Sequence, residues 1–593
     1  MRHRITVLLL LLASLVLNRA AGFESKTFVE PNRTFLTIDN HVPLEVDAKA
    51  TVISLESFAH GTPIIDMELR NLRSTARSFE IDLPAWSKTV ESRDVRLEPK
   101  GSARVVMPIL YPINGSHYFT CLSIKETTPG SKHETANLSI RTIHYRNRLP
   151  YDAHADILMD GELSAEAFAK NMKPPKKENK PARSYSKYNP SHHGSEQEND
   201  EYDCSILSFG RPADKWPADY RVYTVFDAVV ITPKLQAALP PDVRQALDDY
   251  TKLGGAVITT PDSSPSGGIT SPDIAARFRK DIANAQARLR GDLNLGVTIG
   301  DNLTFIPLDV KSSMPTGLLL VLLGLFAVVF IPLMIFLCAR RNQRLRALLV
   351  LPACSFTLAA IVWILALICY GTTPTTRMQS ITQLDQTSRR AVTRGQFGVF
   401  SPVRLSGALH FPADSTILQR NEDTAIDSTA VYRIGDDIHL VGNFTPTLTA
   451  TFFDFQRVAH HSEKLDVRPA TGNVISVSNL LGAKIAKGRL NLDGRVYELS
   501  EIEPGASAKL TPVNTATTNA IDVAAALFNK KSSFGRNWPQ IVKKLSEPDL
   551  MPPDRTYFVR LDGSPFFPSP LGSRKTISTH ESIVVGTFAE DAK

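Results

Sequence analysis

Side chains able to do chemistry are few and widely spaced in this sequence. His192-His193 and His460-His461 set imidazoles side by side, the donor type a zinc site uses, and Glu463 follows the second pair. His192-His193 has no other ligand nearby at useful spacing, and His460-His461 reads as a solvated loop in spite of Glu463, as does the equally weak His580-Glu581. Gly254-Gly255 suggests a phosphate loop, but no Gly-Lys-Ser/Thr ending follows. The two glycines read instead as a helix stop and a strand entry. Cys338, Cys354 and Cys369 lie in apolar runs, where they act as small apolar residues. Cys121 and Cys204 fall in different predicted domains, and their spacing leaves open whether they pair. No cofactor and no metal is expected from these residues.

The elements that would position any chemistry start with export and membrane signals. Arg2 and Arg4 precede the apolar run Ile5 to Leu17, and Ala20 and Gly22 sit at −3 and −1 of a cut, so residues 1–22 read as a signal peptide. Thr316 to Cys338 and Ala347 to Tyr370 are uncharged and apolar all round, which predicts two transmembrane helices, 316–338 and 347–370. Arg340, Arg341, Arg344 and Arg346 lie in or beside the short loop between them, and short basic loops stay in the cytoplasm. That loop predicts a multi-pass cell-membrane protein with both flanking regions extracytoplasmic. The bilayer and envelope proteins are its expected partners. With 67 Lys and Arg against 60 Asp and Glu, the net charge of +7 is small for 593 residues and gives no reason to expect nucleic acid. Five cysteines are too few for a disulfide-stapled scaffold.

Residues 23–150 alternate like half-buried strands, as in Met67 to Arg70 and Ala103 to Pro108, with turn signals such as Lys100-Gly101; a β-sandwich is predicted. Residues 170–203 are rich in Lys and then in Glu and Asp, with few apolar residues, and read as a flexible linker. The period then changes. Cys204 to Phe209, Asp227 to Thr232 and Ala256 to Thr259 are buried-strand runs. Between the last two, Pro241 and Asp242 open a helix with the stripe Val243, Ala246, Leu247, Tyr250 and Leu253, and Gly254 ends it. Strand, helix, strand implies a parallel crossover, and Pro272 starts another helix carrying Ile274, Phe278, Ile282 and Leu289.

Phe226 to Val230, the helix, and Tyr250 to Ile258 together resemble the class I glutamine amidotransferase-like fold, in the version found in largely uncharacterised bacterial membrane-anchored envelope proteins. The resemblance implies a flavodoxin-like α/β domain over 151–311. It also implies a nucleophilic Cys on the elbow after the strand Ala256 to Thr259. The elbow here reads Thr259-Thr260-Pro261-Asp262-Ser263, without a Cys, and Pro261 removes a backbone N–H that an oxyanion hole would use. No His-x-Glu pair follows in the segment, and Ser263 and Ser264 lack an identified base.

Residues 375–593 read as a β-rich extracytoplasmic domain. Arg489 to Tyr497 has a hairpin signature at Asp493-Gly494; Phe452 to Phe455 and Ser582 to Val585 are strand candidates; Ile521 to Phe528 and Trp538 to Leu545 are helix candidates. The expected whole is a multidomain α+β chain. It would act as a membrane-anchored envelope binding or scaffold protein without its own catalysis, accessory to a transport or envelope complex. The rival is a hydrolase using a non-standard nucleophile.

Overall fold

The computed structural model describes residues 61–85, 88–109, 121–129, 154–172, 203–262, 272–292, 316–340, 344–370, 373–405, 407–420, 430–442, 449–469, 473–513, 554–572 and 576–588, with a few shorter pieces between them. The chain forms two compact units. One takes residues 1–33 and 148–286, the other 34–147 and 287–593.

The first is an α/β unit. Its strands are β1 (Val29–Glu30), β2 (His154–Asp160), β3 (Asp203–Phe209), β4 (Ala228–Ile231) and β5 (Ala256–Thr259). Its helices are α1 (Ala165–Met172), α2 (Pro233–Ala238), α3 (Pro241–Lys252) and α4 (Pro272–Asp292). All strand pairs are parallel, in the order β1-β3-β2-β4-β5. From β2 the chain passes to β3 on one side and then returns to β4 on the other, the flavodoxin-like order. Ala155, Ile157 and Met159 share one core with Phe168 and Met172 of α1 and Phe278 and Ile282 of α4. The alternate residues Leu158 and Val229 are buried too, so both faces of the sheet are covered, as a parallel sheet requires. On α3, Val243, Ala246, Leu247 and Tyr250 form the buried stripe. Gly254 follows at φ +106, and a Cβ on Gly255 would lie 2.0 Å from the Tyr250 ring. The glycine pair is therefore a helix stop and a close approach of backbone to ring, at the amino end of β5.

The second unit is β-structure built from both ends of the chain. One sheet joins Leu36–Thr37, Val46–Ile53, Ile64–Asn71 and Ser102–Pro108. A seven-stranded sheet runs from Thr135–Ser139 through Cys121–Glu126, Arg77–Ala85 and Lys88–Leu97 to Val431–Ile434, Asp437–Val441 and Leu409–Pro412. Strand Lys88–Leu97 pairs in parallel with Val431–Ile434, Glu91 opposite Tyr432 and Ser92 opposite Arg433. The expected N-terminal sandwich, 23–150, and C-terminal domain, 375–593, thus share a sheet. An eight-stranded sheet holds the long strands Thr375–Asp385, Arg390–Phe400, Ala450–His460 and Ile577–Thr587. Strands Lys484–Leu492 and Arg495–Ile502 form the hairpin, with Asp493 at φ 52 and Gly494 at φ 72, the left-handed pair of a type I′ turn.

The expected fold class needs correction. Strands hold 48% of the structure and helices 24%, so the chain is β-rich, with the α/β unit as its smaller part. Among the described residues no helix is long and apolar enough to cross a membrane. The run 316–338 is not one α-helix. Phe326–Phe330 turn as a π segment between Thr316–Leu325 and Ile331–Arg340. The π turn leaves ten residues of regular α-helix on each side of it. The two expected spans, the membrane keywords and the multi-pass cell-membrane localisation are withdrawn on this finding. Of the linker 170–203, Lys170 lies in α1 and Asp203 in β3; residues 173–202 are outside the described residues, as are the signal peptide 1–22 and both C-terminal helix candidates.

Candidate functional site

In an open parallel sheet the carboxyl ends of the strands lie along one edge, and ligands bind where the strand order reverses. Here that point is the edge of β2 and its two neighbours. Asp160 ends β2 and Thr232 directly follows β4. Asp160 Oδ2 accepts from Thr232 Oγ1 at 2.5 Å and from Thr232 N at 3.4 Å; Asp160 Oδ1 accepts from Glu162 N at 3.1 Å. Thr232 Oγ1 also accepts from Leu235 N at 3.2 Å, which caps α2, with Pro233 in its first turn. A hydroxyl donating to a carboxylate resembles an activated nucleophile. Thr232 is 0% exposed, however, so no substrate atom reaches it, and the pair ties two strand ends together.

Beside this tie the edge is polar and open. Glu162 and Lys234 meet at 2.6 Å with side chains 49% and 70% exposed, and the bond to Glu162 holds the Lys234 ammonium above its ordinary range. On the other side, Gly161 presses against Gly210. A Cβ on Gly161 would stand 2.3 Å from the Gly210 Cα. The Arg211 guanidinium lies 5.2 Å over the Phe209 ring, and Trp216 meets that ring edge-on.

The expected elbow follows β5. Thr259 Oγ1 donates to Gln236 Oε1 at 3.1 Å; Thr260, 2% exposed, donates through Oγ1 to the Asp262 carbonyl at 2.7 Å. The described residues after β5, Thr260 to Asp262, are not helical, and α4 begins at Pro272. Ser263 and Ser264 lie outside the described residues. Among the described residues of this edge there is no His and no Cys. Cys204, 3% exposed, is the second residue of β3, and His154 opens β2, both toward the amino edge; the seven residues of β2 put that edge about 20 Å away. Among the described residues the edge offers hydrogen-bonding and charged surface, with no accessible nucleophile beside a general base.

The other sequence candidates separate. Arg340 ends the helix Ile331–Arg340, Arg344 and Arg346 fall in the first turn of Arg344–Tyr370, and Arg341 is outside the described residues. His461 is no solvated loop residue. Its side chain is 10% exposed, its Nδ1 meets Glu463 at 3.1 Å, and its ring stands edge-on to Phe566. Burial holds the imidazole below its ordinary range against the pull of Glu463. His580 sits in strand Ile577–Thr587, where burial likewise lowers it. Among the described residues no three His, Cys, Asp or Glu side chains gather as a metal site. Sequence reasoning missed β2, α1 and with them Asp160. The available signal was the run Ile157-Leu158-Met159 between Asp156 and Asp160-Gly161, a short buried strand ending in a turn.

No family model and no curated protein matches the chain. Among solved structures, the yeast delta-COP-I mu-homology domain aligns at 8% identity over 36% of this chain and 95% of that one, with a TM-score of 0.17. Cwp6 from Clostridium difficile aligns at 10% identity, over 36% of this chain and 37% of that one, TM-score 0.13. Aminopeptidase A from Legionella pneumophila aligns at 10% identity, over 24% of this chain and 20% of that one, TM-score 0.13. Likenesses this slight carry no argument about fold or activity.

Proposed function

We propose that this chain is a binding or scaffold protein of the cell envelope, without catalysis of its own, that serves as an accessory to a transport or envelope complex. The observation that carries the reading is the state of the elbow hydroxyls. Thr259 donates to a side-chain amide oxygen and Thr260 to a backbone carbonyl, neither to a base. A hydroxyl without such a base does not attack an amide at neutral pH. The export signal expected in residues 1–22 and the resemblance of the α/β unit to envelope proteins support an envelope role. Leu320, Val328, Phe336, Phe356 and Trp363 are exposed, and an apolar surface of this kind supports an accessory role, since it calls for a partner to cover it.

The test is a functional comparison of the parent with Thr259→Ala and Cys204→Ala in cells, at matched abundance, together with identification of proteins that co-purify with each. Both variants are expected to support function and to retain the same partners. Loss of function in either variant, with the protein folded and at normal abundance, overturns the non-catalytic reading.

A further inference from the structure

The seven-stranded sheet ends in strand Leu409–Pro412, which pairs antiparallel with Asp437–Val441, His410 directly opposite His439. The His410 backbone N–H donates away from that partner, to the Pro570 carbonyl at 2.8 Å. In an antiparallel pair the N–H and C=O of one residue point to the same side, so His410 and His439 form a non-hydrogen-bonded pair. Such pairs have the closest side chains, with Cα atoms about 4.5 Å apart. The imidazoles stand with ring centroids 4.6 Å apart at an interplanar angle of 82°.

That separation fits a shared ion. With metal–nitrogen bonds of about 2.0–2.1 Å, each ring centre stands about 3.2 Å from the metal, so two rings on one ion have centres about 4.5 Å apart at a square N–metal–N angle and about 5.2 Å apart at a tetrahedral one, and a small side-chain rotation covers that range. The frame is rigid. Leu409, Phe411, Ile438 and Leu440 point the other way and lie in one core at no more than 1% exposure. His410 itself is exposed, so water can complete the coordination. We propose that His410 and His439 hold a divalent transition metal of the class that prefers imidazole: zinc, copper(II) or nickel(II). The charged neighbours on the same face are Asp437, two residues along the strand, and Arg433, opposite His439 on the next strand. Asp437 favours the cation and Arg433 opposes it, so a two-imidazole site here is moderate in affinity and open to a ligand carried by the metal.

The experiment is equilibrium dialysis of the purified chain against zinc chloride and against nickel chloride. It compares the parent with His410→Ala, His439→Ala and the double variant, and reads the melting temperature with and without metal. Two donors on one frame make the second bond intramolecular, so removing either is expected to weaken the site by about tenfold or more. The expected result is one fewer bound equivalent in each variant than in the parent, with the metal-induced rise in melting temperature lost and the metal-free melting temperature unchanged. The other histidines are common to all four proteins and cancel. Equal stoichiometry and equal metal response in parent and double variant overturn the site.

Discussion

Asp160 of the α/β unit and Glu126 of the β unit are both buried carboxylates, and they are held in opposite ways. Asp160 accepts from a threonine hydroxyl and from amide N–H groups at the ends of two parallel strands. Glu126 meets Arg77 in a two-pronged pair, Oε1 to Nε at 2.8 Å and Oε2 to Nη2 at 2.6 Å, with side chains 4% and 1% exposed. A second fork joins Asp66 and Arg104 in the neighbouring sheet. The α/β unit ties its candidate edge with neutral donors, which order strand ends without building a charged centre. The β unit uses charge itself to join strands. That difference suits a scaffold, in which the larger part is held by cross-strand pairs and the smaller part presents a polar ledge.

Breaking the charged tie is expected to cost most. Glu126→Gln leaves the Arg77 guanidinium buried without its counter-charge, and the β unit should lose about 3–5 kcal/mol, read by urea unfolding. Gly255→Ala drives a methyl into the Tyr250 ring and should destabilise the α/β unit by about 1–3 kcal/mol, with the β unit's transition unmoved. Thr232→Val removes the neutral tie and leaves Asp160 without its hydroxyl partner, at about 1–2 kcal/mol. A double-mutant cycle with Asp160→Asn should show coupling between the two residues. If Thr232→Val costs as much as Glu126→Gln, the contrast between neutral and charged ties fails.

The smallest effect is one of pH. His461 and His580 have folded pKa values depressed by burial, so the unfolded chain binds more protons below its ordinary imidazole range of about 6.5. Their contribution is present above that value and is lost as pH falls through the folded values. The β unit should therefore melt at lower temperature at pH 5 than at pH 7, and His461→Gln should flatten the slope. In the same window Glu126, lowered by Arg77, stays ionised; its contribution is lost only as pH falls further, below the ordinary carboxylate range.

Local signals were the legible part of this sequence. The 3.6-residue stripe on α3, the stop at Gly254 and the Asp493-Gly494 turn each rest on a few neighbouring residues, and the structure places all three. Pairings across long separations were not legible. Tyr432 opposite Glu91 joins residues over 300 positions apart, and no composition or period marks that contact. The same holds for Asp160 and Thr232, whose meeting depends on β2 lying beside β4. The apolar run 316–338 was legible in composition, but its hydropathy does not reveal the π segment at Phe326–Phe330.

Covalent reactivity of the elbow tests the central claim most directly. The folded chain is treated with a fluorophosphonate and, separately, with an electrophilic glutamine analogue, and peptides covering residues 256–271 are mapped by mass spectrometry. With Thr259 and Thr260 donating to oxygen acceptors and no base on the described edge, no adduct should form above the level of the heat-unfolded chain. A stoichiometric adduct on Thr259, Thr260, Ser263 or Ser264 that requires the folded state would contradict the account.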